Sequence, residues 1–228
     1  MEKMPYQQEP GVRRPSLQAS VVPPPVTHVA STDWRKGLPV LTSKQVTLRE
    51  LRASDAPSLC ALLTTEEVSR FISPPPTTVD GFERFIAWTL RQRQVGSYVC
   101  FAVTIDSTDT AIGIFQIRET QPGFGTAEWG FAIGSPFWGT GVFQESAELV
   151  LEFAFDTIGV HRLEARAAVL NGRGNAALLK VGGVAECVLR KSFKCKGEYL
   201  DQALYAVLDT DWRGSKSPMT LASSVRVH

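Results

Sequence analysis

The sequence predicts a mixed α/β fold, in which a mostly antiparallel sheet carries helices packed against it. Three observations support this class. Short runs of alternating polar and apolar residues recur along the chain, one long amphipathic helix separates two of them, and turn residues divide the others. The 228 residues and a hydrophobic fraction of 43% suit one domain with polar ends. We expect a folded unit over 41–212, between a disordered Pro-rich arm at 1–40 and a flexible tail at 213–228.

The first part of this unit contains one strand and two helices. Residues 45–52 alternate polar and apolar side chains, which predicts a strand. A helix is expected over 54–63, because an acidic side chain in its first turn complements the helix dipole. The Ser-Pro-Pro-Pro run at 73–76 is a hard break, and Thr78 or Asp80 caps the helix that follows.

Three strands are expected in the middle of the unit. Residues 98–105 and 110–118 alternate in polarity, and the intervening Asp106-Ser-Thr-Asp109 is typical of a hairpin turn. Residues 126–133 form the third strand by the same alternation. The order of these runs predicts three neighbouring antiparallel strands, since short turns connect antiparallel partners.

The longest helix follows the third strand. Apolar side chains recur on one face from 141 to 158, and Gly159 ends the helix as a left-handed cap. The next strand, over 162–169, is expected to run parallel to the strand before the helix, because a strand–helix–strand unit forms a right-handed crossover. The remaining elements are a short helix and the two strands of a closing hairpin, over 175–181, 184–193 and 201–208.

Composition excludes several function classes. A net charge of +1 gives no general attraction to nucleic acid. The four cysteines form no CxxC pair, which favours free thiols, and two of the three histidines lie in the predicted ends, so no metal site is expected. No apolar run approaches the ~18 residues of a membrane span, and no secretory signal begins the chain. We therefore expect a cytoplasmic protein without membrane or nucleic-acid partners.

A glycine-bearing turn before the longest helix is the clearest functional signal. Within the segment 134–145, Gly139 and Gly141 immediately precede the helix N-terminus. Glycine lets the backbone approach an anion closely, and a helix N-terminus presents unpaired N–H groups and a positive dipole end. The turn therefore predicts a phosphate site. A dinucleotide fingerprint fits less well, because it needs a third glycine where Gln144 stands.

A series of short motifs runs in order over about residues 40–210. The motifs are Glu128-Trp-Gly, Trp138-Gly-Thr-Gly141, Phe153-Ala-Phe155, Ile158-Gly-Val-His-Arg162, Asn171 to Asn175, Lys180-Val-Gly182, Val188-Leu-Arg190 and Tyr199-Leu-Asp-Gln-Ala-Leu-Tyr205. No single motif is specific, but their order and spacing are. On these residues the chain resembles the GCN5-related N-acetyltransferase (GNAT) superfamily, in particular its RimJ/RimL-type branch, which acetylates protein N-termini. The resemblance implies the GNAT acyl-CoA N-acyltransferase fold, with acetyl-CoA as co-substrate.

The resemblance also implies where acetyl-CoA binds. The strand over 126–133 splays from the strand over 162–169, and the pantetheine arm lies in the gap. Asn171 hydrogen-bonds this arm in the family, although an asparagine there is also a common cap or turn residue, and Asn175 either caps the short helix or touches the cofactor. The residues implied to pair with the arm are Phe131, Ala132 and Ile133, and those implied to form the pyrophosphate loop are Trp138, Gly139, Thr140, Gly141, Val142, Phe143 and Gln144.

The sequence departs from the family pattern at several positions. Pro136 stands where the pyrophosphate loop usually begins with Gln or Arg. Gly174 replaces a serine that is a candidate proton donor in the N-terminal-acetylating branch, Leu178 replaces a tyrosine used by other branches, and Gly183 replaces the usual phenylalanine. Cofactor binding should survive, because the loop keeps its backbone amides, but the general acid has no candidate.

The cost of deprotonating the acceptor amine favours some acceptors over others, and the sequence offers one candidate for the base. Deprotonating a lysine-like amine at pH 7 costs about 4–5 kcal/mol, against about 1 kcal/mol for an α-amine, and a CoA thiol leaves without an acid as readily as a cysteine thiolate. Glu128, between apolar neighbours, is the candidate base, acting directly or through water, and a purely structural carboxylate is the alternative. An amide N–H near Ile133 would stabilise the oxyanion, as in the family.

These observations predict an enzyme that transfers an acetyl group from acetyl-CoA to a primary amine by direct attack. A protein N-terminal α-amine is the first-ranked acceptor. The alternatives are a small-molecule acetyltransferase acting on an amino acid, polyamine or antibiotic, and a catalytically silent acyl-CoA-binding module. The protein is expected to be a monomer or a homodimer. Candidate acceptor walls, each of which also suits ordinary packing, are Phe71, Pro74 to Pro76, Phe115 and Tyr199.

Overall fold

The computed structural model describes residues 33–105 and 108–216, with side chains through Gly214. The expected arm up to residue 32, two residues of the expected hairpin turn, Asp106 and Ser107, and the tail from residue 217 lie outside these ranges. The expectations of a disordered arm and a flexible tail therefore fall mostly outside the described residues.

The folded unit extends beyond the expected 41–212 at both ends. Trp34 and Leu38 are buried in the main core, and the Trp34 ring meets the edge of Phe124 at a centroid distance of 5.7 Å. A final helix continues to Lys216. The Pro-rich composition that suggested an arm ends before Trp34, so apolar side chains rather than proline content mark the start of the packed chain.

Eight strands form one sheet, with the expected mixture of mostly antiparallel pairs and one parallel pair. The strands are β1 (Leu41–Thr42), β2 (Val46–Glu50), β3 (Tyr98–Ile105), β4 (Thr108–Glu119), β5 (Thr126–Ile133), β6 (Arg162–Ala168), β7 (Val184–Cys195) and β8 (Glu198–Leu208). Their spatial order is β1-β2-β3-β4-β5-β6-β8-β7. Only β5 and β6 are parallel among these described strands, which confirms the parallel crossover expected from the sequence.

Within the described residues, six α-helices flank the sheet. They are α1 (Ala56–Leu63), α2 (Glu66–Ser69), α3 (Val79–Val95), α4 (Val142–Glu152, continuing as a π-helical turn over Phe153–Ile158), α5 (Gly172–Lys180) and α6 (Asp209–Lys216). Thr78 caps α3 by accepting the Gly81 N–H at 3.1 Å, as predicted. None of the described helices is both long and apolar enough to cross a membrane.

The predicted start of the short helix needs correction, and the long helix ends as predicted but with a different geometry. The short helix begins at Gly172 rather than at Asn175, because Asn171 accepts the Gly174 N–H at 3.0 Å and so caps an earlier start. The long helix ends where Gly159 was expected to stop it, with φ 84°, but its last turn is π-helical. Cap chemistry at Asn171 thus decides a boundary that apolar periodicity alone places too late.

The two sheet faces carry separate cores. On one face α4 and α5 pack against side chains such as Phe101, Phe115 and Leu163. On the other face α1 and α3 pack against the sheet through Leu59 and Phe85, both fully buried. Burying each such side chain contributes about 1.5–3 kcal/mol, so both layers hold the sheet firmly.

The strands β5 and β6 stay together for only part of their length. Their register pairs run from Thr126 with Arg162 to Glu128 with Glu164. Beyond Glu128, β5 continues beside β4 alone, while β6 continues beside β8. The two neighbouring strands therefore part in the middle of the sheet and leave a gap with strand edges on both sides.

Candidate functional site

A groove opens where β5 and β6 part. It encloses about 400 Å³, counting its open mouth. Its walls come from the two diverging strands, from α5 and from the segment after α2. The lining residues are Phe71, Ile72, Trp129, Gly130, Phe131, Ala165, Arg166, Ala167, Asn171, Gly174 and Leu178.

The edge of β5 that faces the groove carries free backbone groups. Gly134 donates its N–H to the Ile112 carbonyl at 2.9 Å, which makes this a hydrogen-bonded pair of the β4–β5 ladder. Because such pairs alternate, the backbone groups of Phe131 and Ile133 point into the groove, whereas those of Ala132 point to β4. Both backbone groups of Phe131 and the N–H of Ile133 can therefore pair with a ligand, whereas the Ile133 carbonyl accepts from Trp138 and the groups of Ala132 belong to the ladder.

The turn before α4 holds a row of unpaired N–H groups. Gly139 and Gly141 have φ angles of 78° and 92°, in the left-handed region that only glycine adopts readily. Among the described residues, the N–H groups from Gly139 through Gln144 meet no hydrogen-bond acceptor. They lie at the N-terminus of α4, where the helix dipole adds about half a positive charge. This turn has the chemistry of an anion site.

Contacts from the β1–β2 turn brace this loop without using its N–H groups. The Glu145 carboxylate accepts hydrogen bonds from the Ser43 hydroxyl and from the Gln45 side-chain amide, the latter at 2.8 Å. The Ser43 hydrogen bond is the main cause that lowers the pKa of Glu145. Gln45 also donates to the Thr140 carbonyl at 3.3 Å. The loop conformation is thus fixed by a neighbouring element before any ligand arrives.

Trp138 connects the loop to the end of β5 and to α5. Its Nε1–H donates to the Ile133 carbonyl at 2.9 Å. The Arg173 guanidinium lies over the Trp138 ring, 4.2 Å from its centroid. Arg173 places a cation beside a loop that has Pro136 where the family usually has Gln or Arg. The sequence reasoning missed Arg173, and the only signal was a basic residue between the two asparagines.

The two asparagines of α5 differ in their contacts. Asn171 lines the groove, and its side-chain oxygen accepts the Gly174 N–H, so it caps the helix. Its amide nitrogen has no partner among the described residues. Asn175 donates to the carbonyls of Ala168 (2.9 Å) and Asn171 (2.7 Å) and accepts from the Tyr205 hydroxyl (2.9 Å). Asn175 therefore ties α5 to β6 and β8, and its expected contact with the cofactor stays a prediction.

Glu128 lies at the fork of the two strands and is only 7% exposed. Its Oε2 is 2.9 Å from Nη2 of Arg118, which stands directly opposite on β4. On the same face Tyr98 donates its hydroxyl to Gln116, and burial raises the pKa of Tyr98 well above its ordinary value. Glu128 itself does not line the groove, but its neighbours Trp129 and Gly130 do. A buried carboxyl group paired with an arginine thus lies just behind the groove wall.

No obvious proton donor lines the groove. Its described lining contains no Ser, Thr, Tyr, Cys, His, Lys or carboxylic acid. At position 174 a Cβ would lie 2.5 Å from the Asn171 amide nitrogen, so the cap geometry itself favours glycine. Leu178 is 2% exposed and fills the other expected acid position with a methyl-bearing side chain. The departures seen in the sequence therefore leave an apolar wall.

The candidate acceptor walls separate into one lining residue and several that lie elsewhere. Phe71 lines the groove and packs against a small cluster formed by Ala168, Phe193 and Cys195. Phe115 is fully buried within an aromatic stack under the sheet, so its expected role as a wall is wrong. Tyr199 is 55% exposed in the β7–β8 hairpin, and Pro74 to Pro76 do not reach the described lining.

Two further charged residues escaped the sequence reasoning. Arg118 lies opposite Glu128 because of the register between β4 and β5. The polarity pattern of a single strand does not predict this register. Arg166 lines the groove, and its position on β6 places it on the same sheet face as Glu164. The signal for Arg166 was present, since a period-two strand with a basic residue two positions after an acid puts both on one face.

The cysteines and the metal-ligand types offer no second site. Cys60, Cys100, Cys187 and Cys195 are all unpaired thiols, as expected. Burial raises the pKa of Cys100 far above its ordinary value, so this thiol is inert. Within the described ranges, no three His, Cys, Asp or Glu side chains are grouped to hold a metal ion.

Comparisons with known proteins agree with this geometry. The model of the acetyltransferase (GNAT) domain matches residues 45–184. An uncharacterized N-acetyltransferase, p20 of Bacillus licheniformis, is 25% identical over 175 residues, which span 76% of this chain and 98% of that protein. The family model spans β2 through α5 and includes the glycine loop.

Solved structures share the fold. The ribosomal-protein-S5-alanine acetyltransferase from Vibrio fischeri superposes with a TM-score of 0.68 at 18% identity, covering 76% of this chain and 98% of its own. RimJ from Mycobacterium smegmatis, in complex with CoA-disulfide, superposes with a TM-score of 0.65 at 19% identity, covering 75% and 88%. Both likenesses concern the arrangement of the elements, because the sequences have diverged.

Proposed function

This chain belongs to the GNAT family of acetyltransferases, and we propose that it transfers the acetyl group of acetyl-CoA to the α-amine of a protein N-terminus. One observation carries the proposal: β5 and β6 part beside a row of unpaired loop N–H groups, with the buried carboxylate of Glu128 at the fork. A phosphate-binding end and a free strand edge then stand along one groove, with a candidate base directly behind its wall.

The groove fits acetyl-CoA in three respects. The unpaired N–H groups from Gly139 to Gln144 suit a pyrophosphate, and the Arg173 guanidinium adds a cation beside them. The free edge of β5 at Phe131 and Ile133 suits the amide groups of a pantetheine arm, which can pair as an added strand. When bound, acetyl-CoA supplies the acetyl group in activated thioester form.

Glu128 is proposed to take the proton of the acceptor amine through a water molecule. The carboxylate stands behind the Trp129–Gly130 wall rather than in it, so a bridging water suits its distance from the groove better than direct contact. Arg118 keeps the carboxylate oriented, with its Nη2 2.9 Å from the Glu128 Oε2. At position 130 a Cβ would lie 3.1 Å from the Gln116 side-chain amide, which favours glycine beside Glu128.

The missing acid favours a weakly basic acceptor and a good leaving group. No described lining residue of the groove donates a proton to the departing thiolate, and a thiol with a pKa of about 8.5 leaves without help at neutral pH. An α-amine with a pKa of about 8 needs only about 1 kcal/mol to lose its proton, against about 4–5 kcal/mol for a lysine side chain. These costs support an N-terminal α-amine over a lysine or a polyamine.

The test measures CoA release by the full-length protein with acetyl-CoA and a panel of acceptors. The panel contains peptides with different free N-termini, the same peptides with blocked N-termini and an internal lysine, polyamines and aminoglycosides. We expect turnover with free N-termini and little with blocked peptides. Strong turnover with one small amine and none with peptides would replace the proposal by a small-molecule acetyltransferase. Acetyl-CoA binding with no turnover on any acceptor would favour a silent binding module.

A further inference from the structure

Arg166 is a groove residue without an electrostatic partner. It lines the groove, and its Nε atom is buried without a hydrogen-bond partner. It forms no hydrogen bond or ion pair with any residue in the described ranges. Arg166 is half-buried, and withdrawing its Nε–H from water without a hydrogen-bond partner costs free energy, so this side chain suits an anionic partner from outside the chain.

The neighbouring carboxylates are already engaged. Glu164, two residues before Arg166 on the same strand face, is held by Arg162 at 2.8 Å. Glu128, across the strand pair, is held by Arg118 at 2.9 Å. Each acid near Arg166 on this face therefore has its own arginine, and the charge of Arg166 is left over.

Arg166 lies on the acceptor side of the groove rather than on the cofactor side. Alternation along β6 puts Arg166 on the sheet face that carries Glu128 and Ala168, and Phe71 packs against the cluster that contains Ala168. The helices α4 and α5, whose N-termini hold the loop and Asn171, pack on the opposite face. Arg166 therefore enters the groove from the sheet face opposite the helix that follows the pyrophosphate loop.

We propose that Arg166 binds a carboxylate of the acceptor that lies a few atoms from the reacting amine, and so selects acidic acceptors over neutral or basic ones. The inference rests on the proposed function of the groove. Two sources share this chemistry: an Asp or Glu side chain next to a protein N-terminus, and the α-carboxylate of a free amino acid. The Arg70 guanidinium, 5.1 Å above the Phe71 ring, adds a second cation at the same wall.

The physical basis is the planar fork of arginine in a partly desolvated groove. Two parallel N–H groups bind a carboxylate with fixed geometry, so the contact positions the amine as well as holding the acceptor. A fixed cation also disfavours the ammonium form of a nearby amine and repels polycations. Both effects act in the same direction and favour acceptors with an acid close to the amine.

The test compares peptides that are identical except for Asp or Asn at the second position, and a free amino acid with its amide. The proteins are wild type, Arg166→Gln, Arg166→Lys and Arg190→Gln, in which an exposed arginine of β7, two strands from β6 and outside the described groove lining, loses its charge. We expect wild type and Arg190→Gln to prefer Asp over Asn by about 10- to 100-fold in kcat/KM, Arg166→Gln to lose the preference, and Arg166→Lys to keep part of it.

Binding measurements separate this inference from the proposed function. Calorimetric titration of the Asp and Asn peptides without acetyl-CoA should give tighter binding of the Asp peptide by wild type and Arg190→Gln, but not by Arg166→Gln. Such a difference without any turnover would retain the inference while the proposed function fails. Turnover of both peptides without a charge preference would retain the function and overturn the inference. A preference confined to the free amino acid would identify the α-carboxylate as the ligand.

Two further readouts guard against a structural or a cofactor role of Arg166. Because the native guanidinium is unpaired, Arg166→Gln should melt at the same or a higher temperature than wild type, with acetyl-CoA affinity unchanged. A clear fall in melting temperature would identify a scaffold residue. A loss of acetyl-CoA affinity would assign the guanidinium to the cofactor. Either result overturns the proposal.

Discussion

The two sides of the groove are built from different parts of the chain. The cofactor side consists of backbone: the N–H groups of the Gly139–Gln144 loop and the free edge of β5 at Phe131 and Ile133. The acceptor side consists of charged side chains, Glu128 and Arg166, on the opposite sheet face. A backbone site depends on conformation and tolerates most side-chain changes, whereas a side-chain site changes its chemistry with one substitution.

Because of this contrast, we expect a departure from the family pattern to matter less on the cofactor side than on the acceptor side. Pro136 changes a side chain on the cofactor side, but the loop N–H groups remain unpaired and the bracing by Gln45 and Glu145 remains in place. On the acceptor side the identity of each charged residue matters, because the described lining of the groove offers no other ionisable group beside Arg166. Substitutions on the two sides should therefore separate cofactor binding from turnover.

The largest effect is expected from Glu128→Gln. Losing a general base lowers kcat by about 10²- to 10⁴-fold, whereas acetyl-CoA affinity should be unchanged, because Glu128 lies outside the loop. Steady-state rates with the best peptide and calorimetric titration of acetyl-CoA measure the two quantities. Glu164→Gln is the matched control, since the same change is made one strand away in a carboxylate held by Arg162.

The comparison between these two variants decides the role of Glu128. Equal and small effects of both substitutions on kcat would mean that Glu128 is a structural carboxylate. A fall in thermal stability of Glu128→Gln with a proportional loss of acetyl-CoA binding would have the same meaning. A low kcat in a stable protein that still binds acetyl-CoA retains the assignment as base.

The next effect, on the cofactor side, is expected from Gly141→Ala. A residue with a side chain in the left-handed region costs about 1–2 kcal/mol. The added Cβ would also lie 3.1 Å from the Gln45 side-chain amide, so the loop must shift. Acetyl-CoA should bind about 10-fold more weakly. Pro136→Gln serves as the side-chain control and should leave the dissociation constant near that of wild type. A large gain in acetyl-CoA affinity from Pro136→Gln would show that side chains dominate binding on the cofactor side.

A smaller effect, on stability rather than binding, is expected from Asn175→Ala. This substitution removes hydrogen bonds to the Ala168 and Asn171 carbonyls and to Tyr205, each contributing about 0.5–1.5 kcal/mol. Chemical denaturation should show this loss, and Asn171→Ala should cost about 1 kcal/mol as a lost cap. Stability unchanged in Asn175→Ala, with weaker acetyl-CoA binding, would instead assign Asn175 to the cofactor.

The smallest effect is expected at Glu145 and depends on pH. The Ser43 hydrogen bond lowers the pKa of Glu145, so its contribution to stability is present above the unfolded value of about 4.3 and is lost as the pH falls through the folded value. Glu145→Gln should therefore melt below wild type at pH 7 and together with it at about pH 3. A difference that persists undiminished at low pH would mean that the charge of Glu145 does not brace the loop.

Much of the fold and of the cofactor side could be predicted because both depend on residues that are close together in the sequence. Period-two alternation gave the bounds of β3 and β5, and Gly139 and Gly141 before an amphipathic helix identified the anion loop. These signals are local, since a glycine conformation or a strand face depends on residues a few positions away. The parallel pairing of β5 with β6 followed from the crossover rule.

The acceptor side resisted prediction because it depends on register and on distant contacts. Arg118 reaches Glu128 only through the antiparallel pairing of β4 with β5, and Phe71 packs against a cluster that contains Ala168, almost a hundred residues later. Phe115 was expected to be a wall residue, but it is fully buried between the sheet and α4. The strand pattern places Arg166 on a face with Glu164, but its lack of a partner depends on the pairings that Glu164 and Glu128 make with other arginines.

The most direct test of the two-sided groove is the dissociation constant of acetyl-CoA, measured by calorimetric titration for wild type, Glu128→Gln, Arg166→Gln and Gly141→Ala. The account predicts that the two acceptor-side variants bind acetyl-CoA as wild type does, while Gly141→Ala binds about 10-fold more weakly. Weaker binding by both acceptor-side variants, with Gly141→Ala unchanged, would contradict a cofactor side built from backbone.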